Sequence, residues 1–103
     1  MKYKEFLEYL EKHLEGYKTF MNKAAQYQRE KNLKRPSKSR WNDEKVQKAT
    51  YDMWKTAMES LYNKLKNEIK SDFRESWTSF IDKNGILDSV NEGISELDFN
   101  EVA

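Results

Sequence analysis

His13 is the sole histidine of the chain, and cysteine is absent. These two facts limit metal chemistry. A zinc or di-metal centre needs several ligands converging on one point. Helical bundles build such centres from Glu-x-x-His pairs, but the residue three before His13 is Leu10. Without cysteine there is no disulfide and no thiolate ligand. His13 lies in one seven-residue row with Phe6, Phe20 and Tyr27 and reads as a packed or boundary residue. Its titration near neutrality would matter only at an interface.

Nucleophilic chemistry has no better footing. No Gly-x-Ser-x-Gly elbow occurs, and Gly16, Gly85 and Gly93 are too dispersed for a phosphate-cradling loop. The carboxylates mostly fall on solvated helix faces. Glu8–Lys12 and Glu44–Lys48 are i, i+4 pairs, each contributing about 0.2–0.5 kcal/mol. The expectation is a non-enzymatic protein without cofactor, metal or small-molecule substrate.

Two residue sets point to binding. The first is basic. Residues 1–50 carry 13 basic and 7 acidic side chains, whereas residues 51–103 carry 6 and 11. The basic excess gathers in Arg29, Lys31, Lys34, Arg35, Lys38, Arg40, Lys45 and Lys48, with Trp41 among them. Clustered cations give salt-dependent phosphate affinity, and an aromatic ring can stack on an exposed base. The acidic excess follows Gly85, where Asp88, Glu92, Glu96, Asp98 and Glu101 meet no basic residue. The split also fits attraction between the two ends, within one chain or between two copies.

The second set is aromatic. Trp54, Met58, Tyr62, Trp77 and Phe80 are candidates for a protein interface, because large aromatics dominate interface energetics. They also dominate cores. Leu, Ile, Val and Phe total only 20 residues, while aromatics make up 14% of the chain. A chain so poor in aliphatics must pack with its rings.

The elements that position these sets are helices. Charged residues reach 36% with a net charge of only +1, which is an ordered, highly charged composition rather than a disordered one. Tyr3, Phe6, Leu7, Leu10, His13, Leu14, Tyr17, Phe20, Met21, Ala24 and Tyr27 recur at spacings of three and four. They form one apolar face of a helix. It is predicted over residues 3–31, with Asn32 as a left-handed cap and Leu33 folded back onto Tyr27. Gly16 reads as a tolerated surface residue, with a close helix approach or a slight bend as the alternative.

A connection over 32–41 holds Pro36, the only proline. Asn42 then suits an N-cap, with Asp43 and Glu44 at the positive end of the helix dipole. Trp41 and Val46 fall where a hydrophobic staple would sit. The next helical region spans 42–84 and stops at Asn84-Gly85. Within it Met53, Ala57, Leu61, Leu65, Ile69, Phe73, Trp77 and Ile81 are spaced by four. Each such step turns the face by about 40° on an ideal helix, so the row cannot face one partner throughout. Either the helix breaks near 70–72, with Asp72 and Glu75 as a capping box, or it stays continuous and its halves meet different partners. A short helix is expected over 86–97, interrupted or ended near Gly93. Residues 98–103 read as a flexible acidic tail.

The expected fold is therefore all-α. It is a single domain over 1–97, a long antiparallel helical hairpin with one or two short C-terminal helices. Two copies could pair as a homodimer into a four-helix bundle. No apolar run approaches the ~18 residues of a membrane span, and a cytoplasmic protein is expected. The abundance of Lys and Asn fits an AT-rich bacterial or phage genome. The function expected is an adaptor or regulator acting through protein–protein contacts. The alternative is a nucleic-acid-binding accessory protein of a phage or mobile element that uses the 29–48 segment.

Overall fold

A computed structural model describes residues 1–102. All regular structure in it is helical, with no strand among the described residues. The helices are α1 (Tyr3–His13), α2 (Gly16–Leu33), α3 (Asp43–Ile69), α4 (Arg74–Lys83), α5 (Ile86–Ser95) and α6 (Phe99–Val102), with one 3-10 turn at Ser37–Ser39.

The apolar face of the first 27 residues is used largely as its spacing demands. Phe6, Leu7, Leu10, Leu14, Phe20 and Ala24 are all buried. The expected single helix over 3–31 is nevertheless two helices. Leu14 is extended, with φ −92° and ψ 113°, and α2 restarts at Gly16. The break has a chemical cause. In a continuous helix the Gly16 N–H would bond the carbonyl four residues back. Here it donates instead to Asn91 Oδ1 at 2.6 Å. Gly16 is buried against α5, and a Cβ at that position would lie 2.5 Å from Asn91 Oδ1. It is a close-approach glycine, not a tolerated surface one.

α2 does not end as expected. Leu33 is 67% exposed rather than folded onto Tyr27. Asn32 stays helical, since Lys70 is the non-glycine residue with positive φ among those described. The Asn42 cap forms, with its Oδ1 accepting the Lys45 N–H at 2.9 Å.

α3 ends at a left-handed Lys70, φ 53°, and the chain turns before α4. The Asp72–Glu75 capping box does not form. Phe73 is the N-cap residue and makes no side-chain cap bond, while Ser71 Oγ accepts the Phe73 N–H at 3.2 Å. The Asp72 carbonyl instead accepts the terminal ammonium of Met1 at 2.6 Å. Trp77 Nε1 donates to the Ser71 carbonyl at 2.7 Å, which fixes α4 against the turn.

Side-chain contacts tie α1 and α2 to α3: Gln28 meets Met53, Tyr17 meets Trp54, Glu11 meets Tyr51, and Tyr3 meets Tyr62. Two aromatic groups anchor this packing. Tyr3, Phe6, Tyr62 and Trp77 form one, with Tyr62 and Trp77 stacked at 5.1 Å. Tyr17, Phe20, Trp54 and Phe99 form the other, with edge-on rings 4.9–5.5 Å apart. Edge-to-face and offset rings each add about 0.5–1.5 kcal/mol beyond their buried area.

α5 lies along α2. It runs past Gly93, which is an exposed position in open space, and ends at Ser95. Lys23 meets carbonyls at and just past the C-terminal end of α5: its Nζ donates to the Ile94, Ser95 and Leu97 carbonyls at 2.9, 3.1 and 2.9 Å. The expected loose tail begins instead as α6. Asp98 Oδ1 accepts the Asn100 N–H at 2.9 Å, and Phe99 packs edge-on against Phe20. Residue 103 lies outside the described residues.

Candidate functional site

The aromatic candidates are mostly interior. Trp54 is 0% exposed, Trp77 1% and Met58 7%. These three cannot meet a partner in this structure, which corrects the sequence expectation for them. For Trp54 and Met58 the reason is register: the buried side chains of α3 are Val46, Thr50, Trp54 and Met58, one residue over from the Met53–Ala57 row, and then Leu65 of that row itself. One residue is about 100° of helix rotation, so Ala57 ends up exposed and Trp54 at the centre of the core. Trp77, also of the Met53–Ala57 row, is buried from α4, beyond the turn at Lys70. Tyr62 and Phe80 are half-buried. Tyr62 spends its hydroxyl on the Met1 carbonyl at 2.7 Å.

His13 is exposed and lies against the Tyr9 ring at 4.6 Å, a boundary position. Among the described residues no group of three or more His, Cys, Asp or Glu side chains converges as a metal site. No helix among them is long and apolar enough to cross a membrane.

The basic residues are gathered by the fold at one end. The polar and ring contacts of α5 and α6 with α2 run from Gly16 to Tyr27. Past that level, among the described residues, no hydrogen bond or ring contact ties α4, α5 or α6 to α2, which the 34–42 connection joins to α3. Arg29 and Lys31 lie on the last turns of α2, Lys34, Arg35, Lys38 and Arg40 on the connection, and Lys45 and Lys48 on the first turns of α3. All are exposed except Arg35, which is half-buried. Among the described residues, ion pairs form at Asp52–Lys55 and Glu5–Arg74, and none involves this end.

Three of the eight cations have internal work. The Arg35 guanidinium sits 3.7 Å above the Trp41 ring, and Lys45 Nζ is 5.1 Å from the same ring. Arg40 donates to the Leu33 and Arg35 carbonyls at 3.2 and 3.3 Å, closing the end of α2. Asn32 holds the connection from below. Its Oδ1 accepts the Trp41 N–H at 2.9 Å and Arg35 Nη1 at 3.1 Å, while its Nδ2 donates to the Trp41 carbonyl. Asn32 is the residue that sequence reasoning assigned to a backbone cap. Its role as a side-chain clamp depends on a partner nine residues away. The side chains of Arg29, Lys31, Lys34, Lys38 and Lys48 make no hydrogen bond, ion pair or ring contact among the described residues.

Two open grooves flank the α2–α3 pair. One, of about 580 Å³, is lined by Met21, Asn22, Ala25, Arg29, Asp43, Val46, Gln47 and Thr50. The other, of about 460 Å³ and largely apolar, is lined by Phe20, Ala49, Asp52, Met53, Thr56, Ala57 and Phe99. Neither gathers converging ionisable groups.

Comparison with known proteins finds no matching family model, no similar curated protein and no similar solved structure.

Proposed function

We propose that this chain is a small non-enzymatic helical interaction protein. In this reading α1 and α2 form a hairpin with α3, α4–α6 brace it, and the uncovered end of α2–α3 docks an anionic partner. One observation carries it: seven exposed cations share that end without an ion-pair partner among the described residues. Cations near the end of α2 complement its dipole, but Lys45 sits in the first turn of α3, at the positive end, where a cation costs stability. Three of the five side chains expected for protein docking, Trp54, Met58 and Trp77, are in the core, which favours recognition at the charged end. Retention on heparin, a polyanion, tests this. The wild type should be held and released by salt, and Lys31→Glu, Lys34→Glu, Lys38→Glu and Lys48→Glu together should abolish retention. A wild type that passes straight through removes the reading.

A second reading rests on the apolar groove. Asp88, Glu92, Glu96 and Asp98 are exposed and unpaired among the described residues. They offer complementary charge to the basic end of a second copy, and pairing over the groove would complete a four-helix bundle. Light scattering tests it: a homodimer supports the reading, and a monomer at every concentration ends it.

A further inference from the structure

We propose that the anion taken by the α2–α3 end is the phosphate backbone of a nucleic-acid duplex, bound by charge without base stacking. This rests on the reading of that end as an anion-docking surface and names its partner. Two observations select the class.

The first concerns anchors. Protein interfaces draw their energy from buried aromatic and Arg hot spots near the centre of the patch. At this end the one aromatic, Trp41, is half-buried and already covered by Arg35 at 3.7 Å. The one large apolar side chain left exposed there is Leu33. A polar, densely cationic and anchor-poor surface matches phosphate contact instead, since nucleic-acid interfaces are more polar and more positive than protein ones.

The second observation separates duplex from single strand. Single-strand binders stack successive bases on free aromatic faces. Trp41 has no such freedom: Arg35 occupies its face, and Asn32 fixes both its N–H and its carbonyl, at 2.9 and 3.1 Å. What remains is a set of exposed charges on Arg29, Lys31, Lys34, Lys38 and Lys48. Such a set positions a protein on a backbone and carries no sequence information.

The test is titration of the full chain with a labelled mixed-sequence duplex, the same single strand and heparin, at about 50 mM and about 200 mM salt. The duplex should bind more tightly than the single strand, with little dependence on sequence. Affinity should fall steeply with salt, by a log–log slope of about 0.9 per phosphate neutralised. Lys34→Gln alone should lower that slope by about 1. The quadruple Lys→Glu variant, shown folded by circular dichroism, should lose at least tenfold. Tighter binding to the single strand overturns the proposal. So does heparin binding without duplex binding, which would leave the anion-docking reading intact and point to an acidic protein surface. Failure to bind any of the three removes that reading as well.

Discussion

The backbone N–H of Gly16 donates to Asn91 Oδ1 at 2.6 Å, across 75 residues of sequence. This bond divides the N-terminal helix in two and seats α5 on α2. Gly16→Ala should therefore destabilise the fold. The new Cβ would press on Asn91 Oδ1 at 2.5 Å and on Ile94 Cδ1 at 3.1 Å. Overpacking of this kind costs about 1–3 kcal/mol, which exceeds the gain in helix propensity from losing a glycine. Urea denaturation of the variant measures it. A stabilised Gly16→Ala would mean that α5 is not packed there.

Trp54 and Trp77 are equally buried, yet their indole N–H groups differ. Trp77 donates to the Ser71 carbonyl, while Trp54 Nε1 has no partner among the described residues. Substitution by Phe leaves a cavity at either site. At Trp77 it also orphans a carbonyl and removes a hydrogen bond. Trp77→Phe should therefore cost about 0.5–1.5 kcal/mol more than Trp54→Phe. Parallel denaturant curves on the two variants make the comparison, and equal costs would contradict it.

Lys23 serves three carbonyls at the end of α5. Lys23→Met keeps most of the stem and removes the donor. The expected cost is about 1–2 kcal/mol, with faster amide exchange concentrated in α5 and α6. Uniform exchange over the whole chain would show that the ammonium does not hold this end.

Alkaline pH offers a separate check. Burial, then the hydrogen bond to Glu11, pushes the Tyr51 hydroxyl up to about 12, from its ordinary 10.0. A raised value in the folded state means that the native protein keeps the proton longer than the unfolded chain. The corresponding stability is complete below pH 10 and is lost as pH climbs towards 12. Burial also raises the Tyr3, Tyr17 and Tyr62 hydroxyls. Spectrophotometric tyrosinate titration should show a late-titrating group that disappears in Tyr51→Phe. At the acid end, the Arg74 guanidinium beside Glu5 holds its carboxyl below the usual range. That contribution is present above the ordinary carboxylate value and is lost as pH falls through the lowered one.

Local signals were legible where the fold obeyed them. Phe6, Leu10, Phe20 and Ala24 of the seven-residue rows are buried, and Asn42 caps α3. What escaped depends on distant partners. Near Leu14 the local signal is Gly16, which the sequence also offers as a close approach or a bend; its partner there, Asn91, lies 75 residues away. The Met53 row is spaced as evenly as the Trp54 row, and spacing alone could not say where burial passes from Trp54 and Met58 of one row to Leu65 of the other. Phe99 looked like part of an acidic tail, and its anchoring rings, Phe20 and Tyr27, lie far away in sequence. The basic end was visible as composition. Its division into cations with internal contacts, Arg35, Arg40 and Lys45, and cations without them required side-chain geometry.

The most direct test of an anion-docking end is amide chemical-shift mapping of the chain titrated with heparin at low salt. Shifts confined to 29–48, reversed by added salt, are the predicted result. Shifts centred on α4 and α5, or none at saturating polyanion, would contradict the account.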